Sequence, residues 1–462
     1  MKTKQIVFGL LVLSLLSCNY VSQMLVPPTA TPIPTFTPTI TASPTLIPTA
    51  TPLAPVYIPP ECEAQPHPTL SPDFEIQPQV EFENENISKR TQLRILDDIE
   101  ELVEDVYVYP DYNGKDWNGI VASYRNLVDT GITTDQFYFE MQNMIDELED
   151  DHSAFISPAG VRQTNEELSG EFEYVGVGVY SEVDFERERL VVISIFPGSP
   201  AEYSGIQPHD SILLVDGLPI TLDSGVRTLG PPCTAVTVTV QSPGGSPRDV
   251  MLIRTSINES VPIDAHSVPT TDGSNIGYIF IPSFFDETLP PQIESALQEF
   301  GQLDGLILDL RQNGGGSSTV AYPILSFFAD GRLGEFVSRA EIDPLIIEAN
   351  PIQNSQTVPL VIMVSEDTVS FGELFSGVLR DARGAKIVGE TSLGNVEVLN
   401  GYNFEDGSVI WIAAETFYSD FSDDDWEETG IVPDLEAHAE WDTFNFDTDP
   451  AISASLELLG HK

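Results

Sequence analysis

The stretch "GLILDLRQNGGG", residues 305–316, is an apolar run followed by three glycines. Such a run, bounded by glycine, reads as a buried strand that ends in a turn with exposed backbone N–H groups. A second junction, "VPLVIMVSEDTVSFGE" at 358–373, has a strand pattern that gives way to a helical one at Ser370. Around the two, "NIGYIFI", "ETLPPQIESALQEF", "AYPILSFFA", "AKIVGE" and "SVIWIAAETF" alternate strand with helix. Repeated crossovers predict an α/β layer with a largely parallel sheet over 258–445, where sites form at the carboxyl ends of strands. The glycine turn and Ser370 both lie at such ends.

Position alone leaves each open to a plainer role. A serine at a helix start is more often a cap than a nucleophile. A glycine-rich turn can also cradle phosphate, but no GK[ST] follows this one and no GxGxxG is present.

Upstream, the apolar period is two. From 170 to 257, "YVGVGVYS", "LVVISI", "SILLVDG" and "AVTVTV" are short strands separated by Gly/Pro turns. The block resembles a PDZ domain: "YVGVGV" (174–179) stands where the carboxylate-binding loop would be, and "GSPAEYSGIQPHDSILLVDG" (198–217) matches the central stretch. That resemblance implies peptide binding at Gly176, Val177, Gly178 and Val179, and glycines there would let backbone N–H groups turn toward an anion. His209, where a glycine is usual, reads as a surface residue.

Before it, residues 90 to 150 have helical periodicity, within a helical domain read over 66–165. Leu93, Leu96, Ile99, Val103 and Val106 share one face, and Phe137, Met141, Met144, Ile145 and Leu148 another, the second run opening on a Thr133/Gln136 capping box. The segment ends in "ELEDDHSAFISP".

The N-terminus places Lys2 and Lys4 before "IVFGLLVLSLL" and reaches "LLSC". The apolar run is too short to span a bilayer at ~20 residues per crossing and reads as a signal peptide over 1–17. "LLSC" resembles a bacterial lipobox, which implies lipidation of Cys18 and attachment to the extracytoplasmic face of the cell membrane. A Pro/Thr-rich stalk follows within 18–65, able to hold a domain up to about 100 Å from its anchor. Cys62 and Cys233 are then an even pair, and a disulfide between them is one option.

The chain has 462 residues, room for two or three domains. Its net charge of −52 repels phosphate backbones and argues against nucleic-acid partners. No CxxC or HxxxH spacing points to a metal, and no cofactor is indicated. The oligomeric state is not legible.

"GLILDLRQNGGG" looks like the "LDLRxNxGG" segment of the C-terminal processing, or tail-specific, serine peptidases. Their order of helical segment, PDZ domain and ClpP/crotonase-like α/β core matches residues 90 to 445. The resemblance implies a serine-type peptidase acting on polypeptides, with Ser370 as nucleophile and an oxyanion held by the N–H groups of Phe371 and Gly315. In the tail-specific branch a lysine 25 residues after the serine is the base. Here that position is Asn395, and an amide cannot accept a proton at neutral pH.

"LEDDHSAF" in turn resembles the "DGH[ST]" segment of the tricorn-core branch, in which a histidine from the helical region is the base. That implies His152, oriented by a glutamate ahead of a "GVxPD"-like segment. "DDDWEETGIVPD" offers Glu427, with Glu428 beside it as the alternative. The serine next to the tricorn histidine has no clear counterpart, since Asp151 precedes His152 and Ser153 follows it.

Two other classes compete with a lipid-anchored endopeptidase. One is a catalytically inactive peptide-binding lipoprotein that keeps the fold, for which Asn395 speaks. The other is a glycan- or lipid-binding module on the stalk. A region after the core, 446–462, reads as a C-terminal tail.

Overall fold

A computed structural model of the chain describes residues 56–71, 83–150, 152–162, 174–184, 187–221, 227–257 and 263–461. Cys18, the signal segment and the Pro/Thr stretch up to residue 55 lie outside the described residues.

Three helices open the folded part: Lys89–Val106, Trp117–Asp129 and Thr134–Asp146. Each starts on a side-chain cap, with Ser88, Asp116 and Thr133 accepting the N–H of Thr91, Gly119 and Gln136. Their apolar faces bury Ile95, Leu96, Ile99, Val103, Phe137, Met141, Met144 and Ile145. The helices do not close this core alone: Phe155, Ile410, Ile412 and Ala413 belong to the same cluster.

Those residues come from a second sheet. The short strand Ala154–Ile156 pairs antiparallel with Val409–Ser419, Ala154 standing opposite Trp411. Gly331–Ser338, Ile342–Ile347 and Val398–Asn403 complete the sheet. "SVIWIAAETF" therefore leaves the parallel layer. It lies between the helices and the core and is buried on both faces over Val409–Ala414.

The main sheet runs Ala265–Val268, Ile276–Phe280, Gly305–Asp309, Leu360–Val364, Lys386–Gly389 and Leu435–Glu436, parallel throughout except for its first pair. Three of its strands are buried at every residue, as strands covered on both faces must be. The region read as a tail instead forms the helix Pro450–Leu459, whose Ala451 and Ile452 pack with Ile307, Val361 and Met363.

The block over 174–257 is an antiparallel sheet built from Val179–Asp184, Arg189–Ile195, Ser211–Val215, Ala235–Gln241 and Arg248–Ile253, with Tyr174–Gly176 paired to Thr255–Ile257. It is docked to the C-terminal segment through Asp442, whose side chain is 1% exposed. Asp442 accepts from Arg187 at 2.7 Å, Arg189 at 2.8 Å and the Ser211 hydroxyl at 2.6 Å. A buried carboxylate requires partners of this kind.

His209 takes part in the same contact. Read as a surface residue, it is half-buried, with its ring stacked on Trp441 at 4.4 Å and Nδ1 2.7 Å from the Trp441 carbonyl. The C-terminal segment covers it.

Cys62 and Cys233 are disulfide-bonded. Residues 56–71 lie against the PDZ-like block, the Ala235 N–H donating to the Pro68 carbonyl at 3.0 Å. The chain around residue 65, read as the end of a stalk and the start of the helical domain, is thus part of that surface.

Candidate active site

The glycine turn is held from below by Arg311. This buried guanidinium donates to Asp309 and to Asp449, each at 2.7 Å through one nitrogen, and lies over Trp441. Asn313 continues the fixation, donating to the Ile281 carbonyl at 3.0 Å and accepting the Gly315 N–H at 2.9 Å. Gly315 has φ +96°, and a Cβ there would lie 2.9 Å from the Ser370 Cβ. Only a residue without a side chain allows the turn this close to the serine.

Ser370 ends the loop after Leu360–Val364 and precedes the helix Phe371–Arg383. Its φ of 56° and ψ of −120° are strained for a residue with a Cβ, a cost of order 1–3 kcal/mol that persists only where the surroundings impose it. Glu373, on the first turn, imposes it. Its fully buried carboxylate accepts the N–H of Ser370 at 3.0 Å, of Gly394 at 2.7 Å and of Asn395 at 2.9 Å, and the Ser392 hydroxyl at 2.6 Å. Burial raises the Glu373 pKa, and the four donors oppose that rise.

Of the two N–H groups expected to hold an oxyanion, that of Gly315 donates to Asn313 Oδ1 at 2.9 Å. The Phe371 N–H, at the first turn of its helix, has no intramolecular acceptor among the described residues. It also has the positive end of the helix dipole behind it.

His152 reaches the core because the strand Ala154–Ile156 joins the second sheet. Asp150 ties its approach, accepting the N–H of His152 at 3.0 Å, the N–H of Ser153 at 2.7 Å and the Ser153 hydroxyl at 2.7 Å. Ser153 Oγ in turn accepts the Ala413 N–H at 3.0 Å, so its hydroxyl has a structural use.

The carboxylate that meets the histidine is Glu397, which sequence reasoning missed. His152 Nδ1 lies 2.8 Å from Glu397 Oε2, and both side chains are 1% exposed. The two atoms meet without the alignment of a good hydrogen bond, and His152 Nε2 has no partner, so no His152–Ser370 hydrogen bond exists in this state. Loose geometry of this kind is common in sites without substrate. Glu397 also accepts from the Tyr109 hydroxyl. No motif marks Glu397; the one signal in sequence was its place two residues after Asn395.

Glu427 stands behind. Its Oε2 accepts the Val396 N–H at 2.6 Å, and donor atoms of His152, Glu397 and Glu427 gather within 4.8 Å. Two ligands of one tetrahedral zinc ion would be about 3.4 Å apart, farther than the His152–Glu397 contact, which has the separation of a proton-sharing pair. Burial and the adjacent Glu397 charge push the Glu427 carboxyl far above the usual range. Burial acts on Glu397 too, but contacts with His152, Glu427 and Tyr109 outweigh it and hold that carboxyl below its ordinary value. Glu428, the alternative, is exposed at the start of a one-turn helix.

Asn395 is buried, and its Oδ1 has no partner. It lines a polar cavity of about 190 Å³ together with Tyr109, Asp150, Leu393, Glu397 and Glu427. The segment 392–397 therefore links the two halves: Glu373 holds it to Ser370, and Glu397 carries it to His152. Asn395 and Glu397 are at most about 7 Å apart along the chain.

Gly176, Val177, Gly178 and Val179 form a buried turn. Ala201 and Phe196 donate their N–H to the carbonyls of Val177 and Gly178, at 2.9 and 3.1 Å, and a Cβ on Gly178 would collide with Ser199.

The sequence matches peptidase family S41 over residues 275–437, the tricorn protease C1 domain over 91–146 and the PDZ domain over 165–241. It is 28% identical over 373 residues to a carboxyl-terminal-processing protease of Synechocystis sp., across 78% of this chain and 84% of that protein. It is 30% identical over 310 residues to a "Probable CtpA-like serine protease" of Staphylococcus aureus, and there it spans 58% of the relative's length. Among solved structures, its fold resembles the photosystem II D1 C-terminal processing protease, with TM-score 0.54 at 22% identity over 80% of this chain and 99% of the other. It also resembles an S41 protease of Bacteroides fragilis, with TM-score 0.53 at 15% identity over 78% and 96%.

Proposed function

Since the chain belongs to peptidase family S41, with a PDZ domain ahead of its core, we propose that it is a serine endopeptidase that cleaves unfolded or C-terminal polypeptide segments, with Ser370 as nucleophile and His152 as base. The observation that carries this reading is the 392–397 segment, bonded through Glu373 to the Ser370 backbone and in contact through Glu397 with His152.

In this mechanism Ser370 Oγ attacks the scissile carbonyl carbon as its proton passes to His152 Nε2, the nitrogen away from Glu397 Oε2. The carbonyl oxygen becomes an oxyanion that accepts from the Phe371 N–H. Collapse breaks the C–N bond, and the proton on Nε2 goes to the departing amine. Water then takes the place of the amine and attacks the acyl carbon as it loses a proton to His152; collapse breaks the bond to Ser370 Oγ, which takes that proton back from His152 as the second fragment leaves as an acid. General-base help of this kind contributes about 10²- to 10⁴-fold, and an oxyanion donor about 10²- to 10³-fold.

The PDZ domain supplies the peptide-binding element, with the turn at Gly176–Val179 as the candidate carboxylate cradle. We place the protein on the extracytoplasmic face of the cell membrane, tethered by lipid on Cys18; a structural disulfide suits that compartment. Cys18→Ala is expected to move it from the detergent phase to the soluble phase.

Two observations favour the inactive peptide-binding lipoprotein: Asn395 stands where a lysine was expected, and His152 makes no hydrogen bond to Ser370. Incubation with an unstructured polypeptide separates the two readings. Fragments that appear with the wild type and vanish in Ser370→Ala support the enzyme, whereas bound but intact peptide supports the receptor.

A further inference from the structure

We propose that Glu397 is the carboxylate that positions His152, and that Glu427 supports Glu397 from behind without meeting the ring. The proposal rests on the serine-peptidase reading above and reassigns its acidic member. In sequence the role falls to Glu427, by its place ahead of "GIVPD". In the fold, the atom nearest the ring belongs to Glu397, 2.8 Å from Nδ1, on a side chain as buried as the histidine.

The oxygens of the two glutamates are used differently. Glu397 presents Oε2 to His152 and accepts from the Tyr109 hydroxyl with Oε1. Glu427 Oε2 accepts the N–H of Val396, the residue just before Glu397. Glu427 thus holds the backbone that aims Glu397.

Two carboxylates this close and this buried cannot both ionise, so one carries a proton. Contacts with His152, Glu427 and Tyr109 favour the charge on Glu397, and burial beside that charge favours the proton on Glu427. Tyr107, Tyr109, Glu149, Asp150, Glu373 and Asp425 are the other titratable groups facing the pair and its tyrosine. None of these is a cation, so among the described residues the negative charge on Glu397 is opposed by His152.

Two consequences follow for the ring. An anion at Nδ1 fixes the tautomer with the proton on Nδ1 and leaves Nε2 bare to receive the serine proton. It also favours the imidazolium that forms as the proton arrives. A neutral Glu427 could do neither, and a glutamine of the same shape should replace it with little loss.

The test compares Glu397→Gln with Glu427→Gln, reading kcat/KM for an unstructured peptide from about pH 5 to about pH 9, with fluorophosphonate labelling of wild-type Ser370 as a control. We expect Glu397→Gln to lose about 100-fold or more and to move the acid limb of the profile to lower pH. Glu427→Gln should stay within about tenfold, with its acid limb in place. Equal losses, or the larger loss in Glu427→Gln, would overturn the assignment. Nitrogen NMR of His152 gives a second readout that does not require the variants to be active. The Nδ1–H tautomer is expected in the wild type and in Glu427→Gln, and finding the Nε2–H form in the wild type would contradict the proposal even if Glu397→Gln failed to fold. Absence of labelling in the wild type defeats the peptidase reading, while the tautomer result judges Glu397 separately.

Discussion

The backbone N–H groups of Ser370 and Asn395 end on the same oxygen, Glu373 Oε2, at 3.0 and 2.9 Å. One buried carboxylate therefore sets both the strained backbone of Ser370 and the position of Asn395. Glu373→Ala would leave four donors without this acceptor, three of them buried, and a single buried unpaired group costs about 1–3 kcal/mol. We expect a stability loss of roughly 3 kcal/mol or more in chemical denaturation, with Ser370 labelling lost in the fraction that stays folded. A variant as stable as the wild type would show that Glu373 does not hold the two loops.

Gly315 and Gly314 make a matched pair for testing how closely the glycine turn must approach the serine. A Cβ on Gly315 would lie 2.9 Å from Ser370 Cβ and 3.0 Å from the Val369 carbonyl, on a residue with φ +96°. A Cβ on Gly314 meets nothing within 4 Å. Gly315→Ala should destabilise by about 1–3 kcal/mol and abolish peptide cleavage. Gly314→Ala should leave both nearly unchanged. Similar activities for the two variants would contradict this geometry.

The contact between the PDZ domain and the core should depend on pH. Glu182, on the strand Val179–Asp184, accepts from the Gln312 amide at 3.1 and 3.0 Å, the amide being oriented by that contact. Burial, then the Asp367 charge, pushes Glu182 up to about 7, and burial with Glu366, Glu390 and Glu440 pushes Asp367 up to about 6. His438 lies against Glu390 at 2.6 Å. Both carboxyls titrate higher in the folded protein than in the unfolded chain, so the native state holds more protons between about pH 4 and about pH 7. Stability should fall as pH rises through that window, by on the order of 2 kcal/mol for Glu182. Thermal melts of Glu182→Gln should lose the upper part of this slope; an unchanged slope would refute the assignment.

The Cys62–Cys233 bond spans a sequence separation of 171. A cross-link over so long a loop is worth about 2–5 kcal/mol. Replacing both cysteines with serine should lower the PDZ melting transition and make residues 56–71 open to proteolysis. Protection of that segment in the double variant would mean that packing alone holds it.

Much of the fold was legible because local pattern and burial agree. The runs at 305–310 and 358–364 are strands buried on both faces, and the faces of the first and third helices match their apolar spacing. "SVIWIAAETF" misled because a strand buried on both faces looks alike in a parallel layer and in the antiparallel sheet it joins. The tail at 446–462 misled because its short apolar stripe acquires meaning only against Val361 and Met363. Ser370 stood out by the strand–turn–helix junction around it. Glu397 did not, since it is one acidic residue among 72 Asp and Glu, and its contact with His152 depends on a strand pairing between residues 154 and 411. Gly315 was legible as part of a turn with exposed N–H groups, but the bond from its N–H to Asn313 was not.

In the proposed mechanism Ser370 is a nucleophile whose proton goes to His152. The most direct measurement is the rate of fluorophosphonate labelling at Ser370, located by peptide mass spectrometry, in the wild type and in His152→Ala at matched folded concentration. Labelling is expected in the wild type, none in Ser370→Ala, and a rate about 10²- to 10⁴-fold lower in His152→Ala. Labelling of His152→Ala at the wild-type rate would contradict this mechanism.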